Sequence, residues 1–172
     1  MKLEDYLPGI LDFPKPGILF RDISPLLANS QAFAFATKGL GELSQNYTFT
    51  HILGVESRGF IFASALALHL GKGLVLVRKP NKLPPEIHRE SYGLEYGSDA
   101  LEISKSVLNR DHQVLIVDDV LATGGTITAA TKLVGKTGAR VAGAICLLEI
   151  AGLPGANRLE QAGISSHCLL RM

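Results

Sequence analysis

Residues 114–126, VLIVDDVLATGGT, constrain the fold more than any other stretch of this chain. Val114, Leu115, Ile116 and Val117 form an apolar, largely β-branched run without alternation, the pattern of a parallel strand covered on both faces. Two acids follow, Asp118 and Asp119, and then Ala122, Thr123, Gly124, Gly125 and Thr126 lead into a helical pattern over residues 127–136. Strand, acidic turn, Gly/Thr loop and helix bring backbone N–H groups and hydroxyls to a helix N-terminus. The partial positive charge there favours a phosphate. The carboxylates fall at the carboxyl end of the strand, the edge where α/β sheets bind ligands. They can accept hydrogen bonds from a sugar diol or help hold a divalent metal. The bland alternative is a strand-to-helix turn with a Thr cap and solvated acids. No Lys follows the glycines and GxGxxG is absent, which excludes a Walker A loop and a dinucleotide fingerprint.

The rest of the chain alternates in the same way. Residues 51–55, 73–77, 99–103 and 141–150 read as strands, with a last edge strand at 167–170. A helix over 60–70 is closed by Gly71, and the unit 51–77 is a βαβ crossover of right-handed sense. Ser30 is an N-cap for a helix carrying Phe33, Ala36, Leu40 and Leu43 on one face. Residues 3–11 read as a short helix limited by Pro8, and residues 153–162 as helical in part. Residues 13–17, FPKPG, force an extended, turning path into the extended piece 18–22. Arg78, Lys79 and Lys82 put three cations beside a strand end, either a solvated face or an anion site. Residues 81–97 are polar and irregular, with Gly93 and Gly97 as hinges, which reads as a mobile lid. No repeat or linker interrupts the chain, so one domain is the economical expectation.

Composition narrows the classes. A net charge of +1 gives no electrostatic reason to expect a nucleic acid or an anionic membrane as partner. The apolar helical stretch 60–70 falls short of the about 20 residues that span a bilayer. The start, MKLEDYLPG, is acidic and broken by Pro8, unlike a signal peptide. The scattered histidines and the pair Cys146 and Cys168 lack metal spacing, and Cys146 reads as a buried small hydrophobe. A soluble, reducing, cytoplasmic setting is expected.

Four further blocks, FPKPGILFRDISPLL, GVESRGFIF, LVRKPNKLP and SYGLEYG, take their places in order around the central stretch. With it they resemble the signature blocks of the type I phosphoribosyltransferases, and specifically the branch that uses adenine. The resemblance runs over residues 11–170. It implies an α/β fold: a central, mainly parallel, twisted sheet flanked by helices, with an N-terminal hood at about 1–27 and a flexible lid at about 81–97. All of it would form one phosphoribosyltransferase domain over 1–172.

The implied reaction is purine salvage: adenine and 5-phosphoribosyl 1-diphosphate give AMP and pyrophosphate. Mg²⁺ rides on the substrate diphosphate, and the protein itself has no metal site. By the same resemblance, Asp118 and Asp119 bind the ribose hydroxyls, and Ala122, Thr123, Gly124, Gly125 and Thr126 hold the 5-phosphate. Ser57, Arg58, Arg78, Lys79, Lys82 and Tyr96 face the diphosphate, with a cis peptide between Glu56 and Ser57 common in the family. Leu19, Phe20 and Arg21 meet adenine, Glu95 is the lid's acid/base residue, and a homodimer is implied. Asn81, where many members have Gly, and Pro85 beside Pro84 depart from the pattern and are expected to stiffen the start of the lid. Two other activities stay open on the residues: the same transfer to hypoxanthine, guanine or xanthine, and a non-catalytic sensor of the sugar donor.

Overall fold

The apolar run of the central stretch becomes the middle strand of a sheet, and it runs further than the sequence suggests. In the computed structural model, which describes residues 1–94 and 97–172, the chain separates into two compact units, 1–39 and 40–172. The expectations placed on Glu95 and Tyr96 lie outside the described residues.

The first unit opens with a 3-10 turn, Leu3–Tyr6, in place of the short helix expected over 3–11. Pro8 ends it, and β1 (Gly9–Leu11) then pairs antiparallel with β2 (Leu19–Arg21). The Phe13–Pro14 peptide is cis, and the rings of Phe13 and Phe20 meet edge-to-face at 5.1 Å between centroids. Next come α1 (Ser24–Ala28), with Pro25 in its first turn, and α2 (Ser30–Ser44), whose residues cross the boundary at 39. The cap of α2 is Asn29, not Ser30. Its Oδ1 accepts the Ala32 N–H at 2.9 Å. Both residue types cap well, and the first to leave helical geometry takes the role.

In the second unit, β3 (His51–Val55), β4 (Gly73–Val77), β7 (Gln113–Leu121), β8 (Arg140–Glu149) and β9 (Ser166–Arg171) form a five-stranded parallel sheet. Its order is β4-β3-β7-β8-β9. The strand β7 is buried from Val114 through Asp119, as a both-faces-covered strand must be. Helix α3 (Gly59–Leu70) packs on β3 and β7, and Gly71 ends it at φ 62°. Helix α4 (Gly125–Lys136) packs on β7 and β8. Ile127, Ala130, Leu133 and Val134 from α4 join Leu53, Val75, Val114, Ile116 and Leu159 in one core cluster. Burial of such side chains stabilises the fold by about 1.5–3 kcal/mol each. Helix α5 (Gly155–Gln161) precedes the edge strand β9. Cys146 is buried, pairs in register with Cys168, and both are free thiols. Among the described residues no helix is long and apolar enough to cross a membrane.

Within the stretch 81–97 expected to be an irregular lid, residues 81–86 are irregular but residues 87–94 form a strand. After a turn with Asn81 at φ 66°, β5 (Ile87–Leu94) pairs with β6 (Gly97–Ser104) as an antiparallel hairpin. Asn is the residue that best tolerates this left-handed conformation after Gly. Leu101 and Ile103 of β6 are fully buried in the core cluster, and α4 adds an ionic anchor to β5. Glu90 takes Lys132 at 3.1 Å and Lys136 at 2.7 Å, and the Tyr92 ring packs against the core. A backbone bridge between Arg78 and Glu102 ties β6 to the end of β4.

Candidate active site

Two strand ends and one turn build the site. At the end of β7, Asp118 and Asp119 remain within the strand and are buried, only 8% and 5% exposed, where the sequence placed them in a turn at the strand's exposed carboxyl end. The strand ladder continues to Leu121 paired with Glu149, so the carboxylates are held by regular pairing. Asp118 Oδ1 accepts the Asp119 N–H at 2.9 Å. Burial, then the neighbouring Asp119 carboxylate, push the Asp118 carboxyl well up. Burial also raises Asp119, against which the Arg58 guanidinium pulls downward. Arg58 Nε lies 2.8 Å from Asp119 Oδ2, yet that oxygen has no hydrogen bond among the described residues. An acceptor buried in that state is suited to a hydroxyl donor brought by a ligand.

After Leu121 the chain turns through Ala122 and Thr123 to Gly124, at φ 77°, and α4 begins at Gly125. Gly is the residue that adopts this backbone without a Cβ clash. Gly124 O accepts the N–H and the hydroxyl of Thr128, at 3.0 and 2.8 Å. The N–H groups of Gly125, Thr126 and Ile127 have no intrahelical acceptor in this first turn, and such groups form an anion cradle.

The second strand end is that of β3. The Glu56–Ser57 peptide is cis, and Arg58 leads into α3. This loop lies directly over β7: a Cβ on Gly59 would stand 2.7 Å from Asp118 Oδ1 and 3.1 Å from Val117 O. Glu56 gathers the cations. Its carboxylate accepts Arg78 Nε at 3.2 Å, Lys82 Nζ at 2.8 Å and the Lys79 N–H at 2.9 Å, with its side chain 8% exposed. Burial alone would raise the Glu56 carboxyl, but these bonds, led by Lys82, outweigh it and hold the group low. Lys79 turns the other way, onto Asp99 and the Tyr92 hydroxyl. Burial alone would lower it, and the Asp99 and Tyr92 contacts raise it above the usual lysine value.

The result is a cleft of about 360 Å³ at the carboxyl ends of β3 and β7. Of the residues singled out in the sequence, it brings together Ser57, Arg58, Lys79, Asp118, Asp119, Ala122 and Thr126. Thr123, Gly124 and Gly125 belong to the turn that continues its wall, while Arg78 and Lys82 are engaged on Glu56 outside the lining. Leu19, Phe20 and Arg21 form β2 of the first unit. Tyr92 and Val120 line the cleft and were not singled out, nor was Glu56 as an anchor. The placement of Tyr92 two residues before Leu94 in SYGLEYG was the available signal for the first of these.

The phosphoribosyl transferase domain model matches residues 23–161, most of the chain. The chain belongs to the phosphoribosyltransferase family. Among family members, the adenine phosphoribosyltransferase of Polynucleobacter asymbioticus is 60% identical over 171 residues, covering 99% of both chains. The crystal structure of adenine phosphoribosyltransferase from Thermoanaerobacter pseudethanolicus matches with a TM-score of 0.95 at 42% identity, covering 99% of this chain and 100% of that one. The Saccharomyces cerevisiae enzyme, crystallised with an imino-altritol bisphosphate and adenine, matches with a TM-score of 0.90 at 38% identity, covering 98% and 96%. The parallel sheet flanked by helices is thus the type I phosphoribosyltransferase fold.

The Glu56 anchor leads to an expected result for this phosphoribosyltransferase. Glu56→Gln leaves Arg78 and Lys82 without their anion and costs about 1 kcal/mol, since these cations are 31% and 50% exposed and rehydrate. Because the carboxyl is held low in the fold, its contribution is present above the ordinary Glu value of 4.5 and is lost as pH falls through the folded value. Urea unfolding at pH 7 and pH 4 checks this, and the gap between parent and variant shrinks at the lower pH.

Proposed function

We propose that this chain transfers the 5-phosphoribosyl group from 5-phosphoribosyl 1-diphosphate to adenine, giving AMP and pyrophosphate in purine salvage. The single observation that carries the reading is the cleft that joins two buried acids to an open helix N-terminus. One half matches a ribose diol and the other a 5-phosphate. Relatives named for this activity over nearly the full chain support it.

In the reaction the anomeric C–O bond breaks, the bonding pair leaves with pyrophosphate, and adenine N9 forms the new bond to that carbon. Positive charge develops on the ribosyl ring, as in glycoside chemistry. Asp118 and Asp119 accept the ribose hydroxyls and favour that charge. The amides of 122–126, with the Thr123 and Thr126 hydroxyls, fix the 5-phosphate and so the ring's position. Arg58, Ser57 and Lys79 stabilise the departing diphosphate, to which Mg²⁺ belongs as part of the substrate. Lys79 reaches it by exchanging Asp99 for the ligand's anion. Arg78 and Lys82 act with it, through the Glu56 anchor that sets the loop, and Tyr96 completes the diphosphate contacts. Leu19, Phe20 and Arg21 supply the adenine contacts: backbone groups for the ring edge and the Phe20 ring for stacking. Glu95 takes the N9 proton. The two units serve one catalytic domain.

We also propose a homodimer in a reducing, cytoplasmic compartment. The apolar side chains Leu68, Leu74 and Leu76, on α3 and the edge strand β4, are 87%, 40% and 38% exposed and offer the subunit contact. A fully active monomer by light scattering at nanomolar concentration overturns the dimer. The activity itself is tested by AMP formation from adenine, with and without Mg²⁺, beside hypoxanthine, guanine and xanthine. Binding of the sugar donor without any product overturns the reaction and favours a sensor.

A further inference from the structure

We infer that Arg158, on α5, is a positioning residue for the 5-phosphate, acting through the peptide between Thr123 and Gly124. Arg158 Nη1 donates to Thr123 O at 3.2 Å, across 35 positions of sequence. The helix that carries it is seated on the turn. A Cβ added to Gly155 would stand 2.3 Å from Ala122 O, and one added to Gly124 would stand 3.1 Å from Gly155 O. Leu159, fully buried in the core, fixes α5 in that place. The guanidinium also stands beside the next residue, 3.6 Å from where a Gly125 Cβ would be.

A trans peptide is planar, with its C=O and N–H pointing in opposite directions. Holding the Thr123 carbonyl toward Arg158 therefore turns the Gly124 N–H away from α5. It also sets the orientation from which the Gly125 and Thr126 amides follow. Without that bond, a Gly-Gly turn has wide backbone freedom and the Thr123 carbonyl can rotate toward the anion site, where its oxygen would repel a phosphate. A guanidinium bond to a carbonyl is charge-assisted and keeps its cation beside an incoming dianion. The loop has no Lys of its own, unlike a Walker A turn, so α5 supplies a cation from outside the motif.

The inference rests on the reading of the cleft as a phosphoribosyl site, and the test separates the two. Arg158→Met keeps the stem's packing and removes the donor and charge. We expect KM for 5-phosphoribosyl 1-diphosphate to rise about tenfold, the scale of one lost charge-assisted bond. Turnover at saturation and KM for adenine should change less than KM for the sugar donor, since the lost bond serves ground state and transition state alike. Ribose 5-phosphate, measured by calorimetry, should weaken in parallel, and Arg158→Lys should recover most of the loss. An unchanged KM for the sugar donor in Arg158→Met overturns the inference while leaving the activity in place. So does a fall in melting temperature with turnover and both KM values altered together, unrescued by Lys, because that is a purely structural role. Absence of AMP formation by the parent protein overturns the underlying reading instead.

Discussion

Replacing Asp118 or Asp119 by Asn lowers catalytic efficiency for the sugar donor at least about tenfold, while the fold stays within about 1 kcal/mol of the parent. The two substitutions differ in their cause and therefore in their pH dependence. Asp118 is buried beside a second carboxylate, and both effects raise it. A carboxyl raised in the fold contributes most when protonated, below its ordinary value of 3.8, and that contribution is lost as pH rises through the folded value. Asn carries no such penalty, so Asp118→Asn gains stability relative to the parent as pH rises above 3.8. Asp119 is raised by burial in the same direction, but Arg58, 2.8 Å distant with its side chain 38% exposed, pulls against the rise. Asp119→Asn therefore shows the same trend as Asp118→Asn with a smaller amplitude. Urea unfolding across that range, with steady-state kinetics at varied sugar donor, measures both. Full catalytic efficiency in both variants makes the ribose assignment wrong.

The burial of these acids shows where sequence reading succeeds and where it stops. The unbroken run 114–117 announced a covered parallel strand, and the same signal placed β3 and β8, because these runs are buried on both faces; the run of β4 placed an edge strand whose Leu74 and Leu76 stay partly exposed. The alternation of strands with amphipathic helices then points to a parallel sheet. Polar residues carry no such report. Asp118 and Asp119 read as a strand's exposed end, yet β7 continues to Leu121 because β8 offers backbone partners opposite them. A ladder bond is indifferent to side-chain type, and only the fold reveals that the partner exists.

The hairpin is the same failure at larger scale. Residues 87–94, IHRESYGL, have neither an apolar run nor a clear alternation, so they read as loop. Their order comes from register with β6 and from two lysines of α4 closing on Glu90. The site divides likewise. Contiguous motifs gave Asp118 to Thr126 and the Ser57–Arg58 loop. Glu56 as an anchor of three cationic residues and Arg158 behind the turn depend on contacts across 22 to 35 positions, and Tyr92 enters the wall from a separate strand. Spacing within a motif cannot show these, because the chain is free to place such partners anywhere.

The largest single effect on chemistry is expected at Glu95, which the described residues do not include. Adenine N9 must lose its proton as it bonds to the sugar, and a general base at that step contributes a factor of about 10²–10⁴. Glu95→Gln lowers turnover by that factor, with adenine affinity changed less, because the adenine contacts proposed above belong to Leu19, Phe20 and Arg21. Glu90 is the competing acid of the same segment, and its surroundings argue against the role. Hydrogen bonds from Lys136 and Lys132 hold its carboxyl below the usual value, and a low carboxyl is a poor proton acceptor. Its side chain is 16% exposed and faces α4, clamping the hairpin. Glu90→Gln therefore loosens the hairpin and lowers stability, and leaves the chemical step largely intact. That separates the two acids in a way that steady-state rates alone do not. Single-turnover kinetics on both variants, with protein in excess over the sugar donor, isolates bond formation from product release. An unimpaired chemical step in Glu95→Gln rules out proton transfer by this residue, and a loss in Glu90→Gln as large as in Glu95→Gln moves the base to the clamped position.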